Sequence, residues 1–140
     1  MNIIYHCLAP DGVSLRLQII IEIMVSPKNF EILSGEKIME DHLRSPLSAN
    51  AIVILQISSF SDLRDIIALK ELLIDHRIIL ILPDREPEIV ALGHTLRPRL
   101  ISYRDSDFLD VASVLSRMNF NARRDCREDK LIESSKQSAN

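Results

Sequence analysis

A chain of 140 residues that is 46% hydrophobic and 26% charged fits one globular domain, large enough to bury roughly 70% of the surface that its unfolded chain exposes. Only three residues are glycine and six proline, which excludes collagen-like and low-complexity chains. A formal charge of -3, the absence of Trp and an aromatic content of 4% argue against nucleic-acid binding, which draws on a basic stripe and on rings for stacking.

From the start of the chain, Asn2 to Leu8 reads as a first strand. A turn at Pro10-Asp11-Gly12 follows, then an apolar helix from Val13 to about Val25, closed by Ser26-Pro27-Lys28-Asn29. Phe30 to Ser34 gives a short second strand, and Glu36 to about Leu43 a short helix. The third strand, Ala51 to Ile57, is apolar without a break from Ala51 to Leu55, as expected of a strand covered by helices on both faces. Ser61-Asp62 supplies an N-cap for a helix running to about Ile74. Ile78 to Leu82 is a fourth, wholly apolar strand, ended by Pro83-Asp84. Pro87 suits the first turn of the next helix, where its missing N–H would be unpaired anyway, and Gly93 marks that helix's end. Arg99 to Tyr103 is the fifth strand, and the last helix runs from about Ser106 to Phe120, with Phe108, Val111, Ala112, Leu115 and Met118 on one face. This alternation of strand and helix predicts βαβ units and a parallel sheet. A domain over residues 1–120 is expected, followed over 121–140 by a polar helix extension or mobile tail that carries one apolar pair, Leu131-Ile132.

Units of this length in this order resemble the CheY-like response-regulator receiver domain. Ala51-Ile52-Val53-Ile54-Leu55-Gln56-Ile57 reads like that family's third strand, and Ser102 to Leu115 like its fifth strand and final helix. The resemblance covers residues 2 to about 120. It implies a flavodoxin-like, three-layer (βα)5 fold with a five-stranded parallel sheet in the order 2-1-3-4-5. Receivers carry two acidic residues after the first strand for a magnesium ion, an Asp nucleophile ending the third, a Thr or Ser ending the fourth and a Lys ending the fifth. Here the acidic pair falls on Ala9 and Pro10, with Asp11 the nearest carboxylate. The nucleophile position falls on Gln56, whose amide cannot attack phosphorus, the hydroxyl position on Leu82, and the lysine position on Arg104 or, shifted by one, on Tyr103. The resemblance therefore implies a pseudo-receiver with the scaffold kept and the phosphorylation chemistry lost: no metal, no cofactor and no catalysis.

Ligands of a doubly wound sheet sit beyond the carboxyl ends of its strands, a rim that would carry Asp11, Gln56, Ser58, Ser59, Asp84, Arg104 and Asp105. These residues form either a small polar ligand pocket, which would suit a small-molecule-binding or phosphate-handling enzyme, or ordinary caps and solvated loops. Cys7 sits in a strand and reads as buried, because the Leu8-Ala9-Pro10 stretch after it is no phosphate cradle. Its separation in setting from Cys126 argues against a disulfide. His6, His42, His76 and His94 are scattered, and no Gly-x-Ser-x-Gly elbow is present.

In the first helix Val13, Leu17, Ile20, Ile21 and Met24 share the face that should cover the sheet, whereas Leu15, Ile19 and Ile23 form a second apolar ridge. That ridge is expected to meet another chain, as in a homodimer, or to lie under the last helix or the Leu131-Ile132 pair. Arg97, Arg99 and Arg104 with His94 crowd the fifth strand and offer an acidic partner a surface or are simply solvated. Without a basic-then-apolar leader or a long apolar run, the expected setting is the cytoplasm, away from membranes. The expected role is a signalling or scaffolding module that works through protein partners.

Overall fold

The computed structural model describes residues 3–7, 11–25, 30–33 and 51–118. In chain order these form β1 (Ile3–Cys7), α1 (Gly12–Met24), β2 (Phe30–Leu33), β3 (Ile52–Gln56), α2 (Phe60–Ile67), α3 (Lys70–Leu73), β4 (Arg77–Leu82), α4 (Pro87–His94), β5 (Leu100–Tyr103) and helical residues 109–118, here α5. The sheet is five-stranded in the order β2-β1-β3-β4-β5, and every neighbouring pair is parallel. This is the flavodoxin-like α/β arrangement.

Unbroken runs of β-branched and leucine side chains make the central strands, because both faces of the sheet are covered. Alternate residues serve opposite layers. Ile3, Tyr5, Ile52, Ile54, Ile79 and Ile81 pack with Leu17 and Ile21 of α1 and with Phe108, Val111 and Leu115 at the α5 side. Ile4, Val53, Leu55, Ile78, Leu80 and Leu82 pack instead with Leu63, Ile66 and Leu73 of α2 and α3 and with Ile89 of α4. Loss of water from these two apolar layers is the main force holding the fold.

Several local details depart from the expected pattern. The helix after β3 starts earlier than a Ser61 cap would allow: Ser59 is the N-cap and its hydroxyl accepts the Asp62 N–H at 3.2 Å. The Asp62 carboxylate reaches back to accept the Ser58 N–H at 2.9 Å. Three residues, Ser58, Ser59 and Asp62, satisfy two backbone donors in this way, which fixes the start two residues upstream. The helical stretch to Ile74 is also broken, into α2 and the single turn of α3. Gly93 is the penultimate residue of α4, within one residue of the expected end, and a Cβ there would stand 3.1 Å from Leu80 Cδ1. Its small size lets the helix approach β4 closely. Pro87 occupies the first turn of α4 as expected.

The last helix begins at residue 109 rather than near Ser106. Ser106 Oγ accepts the Phe108 N–H and Asp107 Oδ1 accepts the Leu109 N–H, both at 3.0 Å. Phe108 itself adopts a left-handed backbone at φ 61, a conformation disfavoured for an aromatic residue. Its fully buried ring holds it there. The predicted helix at Glu36–Leu43, the loop residues Ala9 and Pro10, the 120/121 boundary, His42, Cys126 and the Leu131-Ile132 pair lie outside the described residues.

Candidate functional site

Parallel strands bring the ends of β1, β3, β4 and β5 to one rim of the sheet. The α1 side of that rim is built from its first helix turn upward. Asp11, the N-cap of α1, accepts the Ser14 N–H at 3.0 Å, and its own N–H donates to Ser14 Oγ at 2.7 Å. This reciprocal pair is a capping box with Ser in place of the usual Glu. The other Asp11 oxygen accepts from the Arg104 guanidinium. Arg104 follows β5 and Asp11 follows β1, so the ion pair bridges two strands that have β3 and β4 between them. The Asp11 carboxyl is held below the usual carboxylate range, first by the Ser14 N–H and then by Arg104.

Beneath this pair lies a buried polar group. Gln56, at the end of β3, is 4% exposed, and its side-chain oxygen accepts a hydrogen bond from the Tyr5 hydroxyl. The β1–β3 register sets Cys7 opposite Gln56, and Tyr5, Cys7 and Gln56 all point to the α1 layer because strand side chains repeat every second residue. Burial, its largest cause, pushes the Tyr5 phenol well above its ordinary value. Burial likewise raises the Cys7 thiol, and the Ser14 hydroxyl, which favours the thiolate, offsets only part of the effect. A thiol raised in this way is a poor nucleophile. Leu82, at the end of β4, is fully buried in the opposite layer.

On that opposite side the rim opens into a cleft of about 370 Å³ lined by Ser58, Ser59, Phe60, Pro83, Asp84, Glu86, Glu88 and Ile89. It lies between the first turns of α2 and α4. Asp84 Oδ1 accepts the Glu86 N–H at 3.0 Å. Further along the rim Arg85 pairs with Asp105 at 2.9 Å and stacks over the Tyr103 ring, 4.1 Å from its centroid.

The rim residues named from the sequence are thus divided among four places. Asp11 and Arg104 form the ion pair over the α1 side, Ser58, Ser59 and Asp84 line the cleft, and Asp105 is engaged by Arg85. Gln56 is turned inward to Tyr5. Arg97 and Arg99 are exposed at the approach to β5, and the Arg99 backbone N–H donates to the Ile78 carbonyl. Along α1 the ridge of Leu15, Ile19 and Ile23 faces outward, 57%, 49% and 79% exposed. Ridge coverage by α5 does not occur over the described residues. Sequence reasoning missed Tyr5, Ser14, Phe60, Glu86 and Glu88. Asp11-x-x-Ser14 is a readable capping signal, whereas Tyr5 looked like one more apolar strand residue.

Among the described residues, no three His, Cys, Asp or Glu side chains are grouped to hold a metal ion, and no helix is long and apolar enough to cross a membrane. Neither a protein-family model nor a curated protein matches this chain.

Proposed function

We propose that the chain is a receiver-like interaction module without phosphotransfer chemistry, acting in signalling or scaffolding through protein contacts. The observation that carries this reading is the state of the β3 end. Its side chain is an amide, buried and bonded to Tyr5, where attack on phosphorus would need a free carboxylate. The neighbouring Asp11 carboxylate is committed to the α1 cap and to Arg104, and a single engaged carboxylate is a poor magnesium ligand set. Leu82 offers no hydroxyl to a phosphoryl oxygen. The outward ridge of α1 supports association with a partner or with a second copy, since apolar rows at the surface favour contact over hydration. A cytoplasmic setting goes with this reading.

Treatment with acetyl phosphate and magnesium followed by intact-mass measurement tests it. The mass should not change, and a stable phosphoryl adduct would overturn the proposal. A second reading, a small-molecule-binding or phosphate-handling enzyme using this rim, is favoured by the presence of a cleft there, although its three carboxylates weigh against phosphate and for a neutral or cationic small molecule. Calorimetric titration with nucleotides and phosphorylated metabolites separates the two, because heat saturating at one equivalent would favour the enzyme.

A further inference from the structure

The cleft between α2 and α4 has a mixed character that points to one kind of occupant. Phe60, Pro83 and Ile89 give it apolar walls, and Phe60 is left 42% exposed although it is the first residue of its helix. Beside these walls stand the carboxylates of Asp84, Glu86 and Glu88. Helix geometry accounts for the first of them, since Asp84 holds the Glu86 N–H. Glu86 occupies the N-cap position of α4, yet its side chain makes no cap hydrogen bond, and among the described residues neither Glu86 nor Glu88 forms an ion pair. Two helix N-termini would by themselves attract an anion. Three carboxylates outweigh their two half-charges and reverse that preference.

The cation that suits this place is organic. The carboxylates are not grouped as a metal-binding set; all three stand along the α4 side of the cleft, facing the wall made by Ser58, Ser59 and Phe60. A volume of about 370 Å³ lies at the small end of ligand cavities. That is room for a side chain or two. An arginine or lysine laid along Phe60 would place its aliphatic stem on the ring and its charge among the carboxylates.

We infer that the α2–α4 cleft is a docking site for a partner protein's basic segment, taking an Arg or Lys side chain flanked by an aliphatic residue. This rests on the interaction-module reading above and names the chemistry of the partner.

Amide spectra of the full-length protein, titrated with the capped tripeptide amide acetyl-Leu-Arg-Leu, test it. Taking the peptide to about 5 mM reports any Kd in the millimolar range or below. Saturable shifts are expected on Ser58, Ser59, Phe60, Asp84, Arg85, Glu86, Glu88 and Ile89, with the glutamate-containing analogue acetyl-Leu-Glu-Leu silent at the same concentration. In the Glu86→Gln/Glu88→Gln variant, whose exposed substitutions should keep the spectrum dispersed, binding should weaken about tenfold, two exposed ion pairs' worth, and raising the salt should weaken it in the parent protein. Absent shifts at these residues, shifts of equal size with the glutamate peptide, or affinity unchanged in the variant would each overturn the proposal. The phosphoryl-adduct result is independent of these shifts, so either reading can fail alone.

Discussion

Arg104 and Asp11 meet across the carboxyl rim although the strands that lead to them are separated by β3 and β4. The contact ties the β5 end to the first turn of α1, and Asp11 serves both the ion pair and the helix cap. These two duties have different energetics and can be separated.

Arg104→Ala removes only a half-exposed ion pair and should cost on the order of 1 kcal/mol or less, shrinking further in high salt. Asp11→Ala removes the pair and the cap together and should cost about 1–2 kcal/mol, with a share that salt does not touch. Urea denaturation at two salt concentrations reads both numbers. Equal, fully salt-sensitive losses would contradict the capping role.

The same carboxylate sets an acid limb of stability. Its folded pKa is depressed below an unfolded value near about 3.9, so the unfolded chain binds its proton first as the pH falls. Its contribution is complete above the unfolded pKa and is lost as the pH drops through the folded one. Asp105 is depressed in the same sense, but it is fully exposed and screened by solvent. In Asp11→Asn the fall of stability with pH below about 4 should be shallower, as measured by midpoint against pH. An unchanged acid limb would show that Asp11 is not the group responsible.

Tyr5 and Gln56 form a buried hydrogen bond between adjacent strands. Tyr5→Phe leaves the amide oxygen dry and unpartnered, at a cost of about 1–3 kcal/mol, whereas Tyr5→Phe with Gln56→Leu removes both polar partners and should recover most of that loss. A double-mutant cycle measures the coupling. Additive losses would mean that the bond does not form in solution.

The two faces of α1 should respond oppositely. Leu17→Ala opens a hole in the layer it shares with Ile21, Tyr5 and Val111 and should cost about 2–5 kcal/mol. Ile19→Asp alters an outward side chain and should stay within about 0.5 kcal/mol of the parent. If the ridge joins two copies, the same Ile19→Asp change lowers the sedimentation coefficient of the concentrated protein. A large loss of monomer stability from Ile19→Asp would place that residue in the core instead.

The five-stranded sheet was legible in the sequence because its cause is local. Apolar runs at Ala51–Ile57 and Ile78–Leu82, separated by helical stretches, can bury both faces only as covered parallel strands, and the face assignments in α1 follow from its 100° repeat. The Ser59 cap was misplaced by two residues because Ser59 and Ser61 carry the same chemistry, and only the backbone extension at Ser59 selects it. Gly93 marks the end of α4 to within one residue, as its type implies, but its close approach to Leu80 is not legible, because distance along the chain says nothing of nearness in space. The sequence by itself determined which side chains stand at the described strand ends, with an amide at Gln56 closing β3 and an aliphatic group at Leu82 closing β4. Tertiary structure alone decided how they combine: Arg104 to Asp11, Gln56 to Tyr5, and Phe60 with Glu86 and Glu88 around one cleft. Those pairings are set by which loops the sheet order brings together, and the polar side chains in such loops carry no periodicity from which a partner could be read.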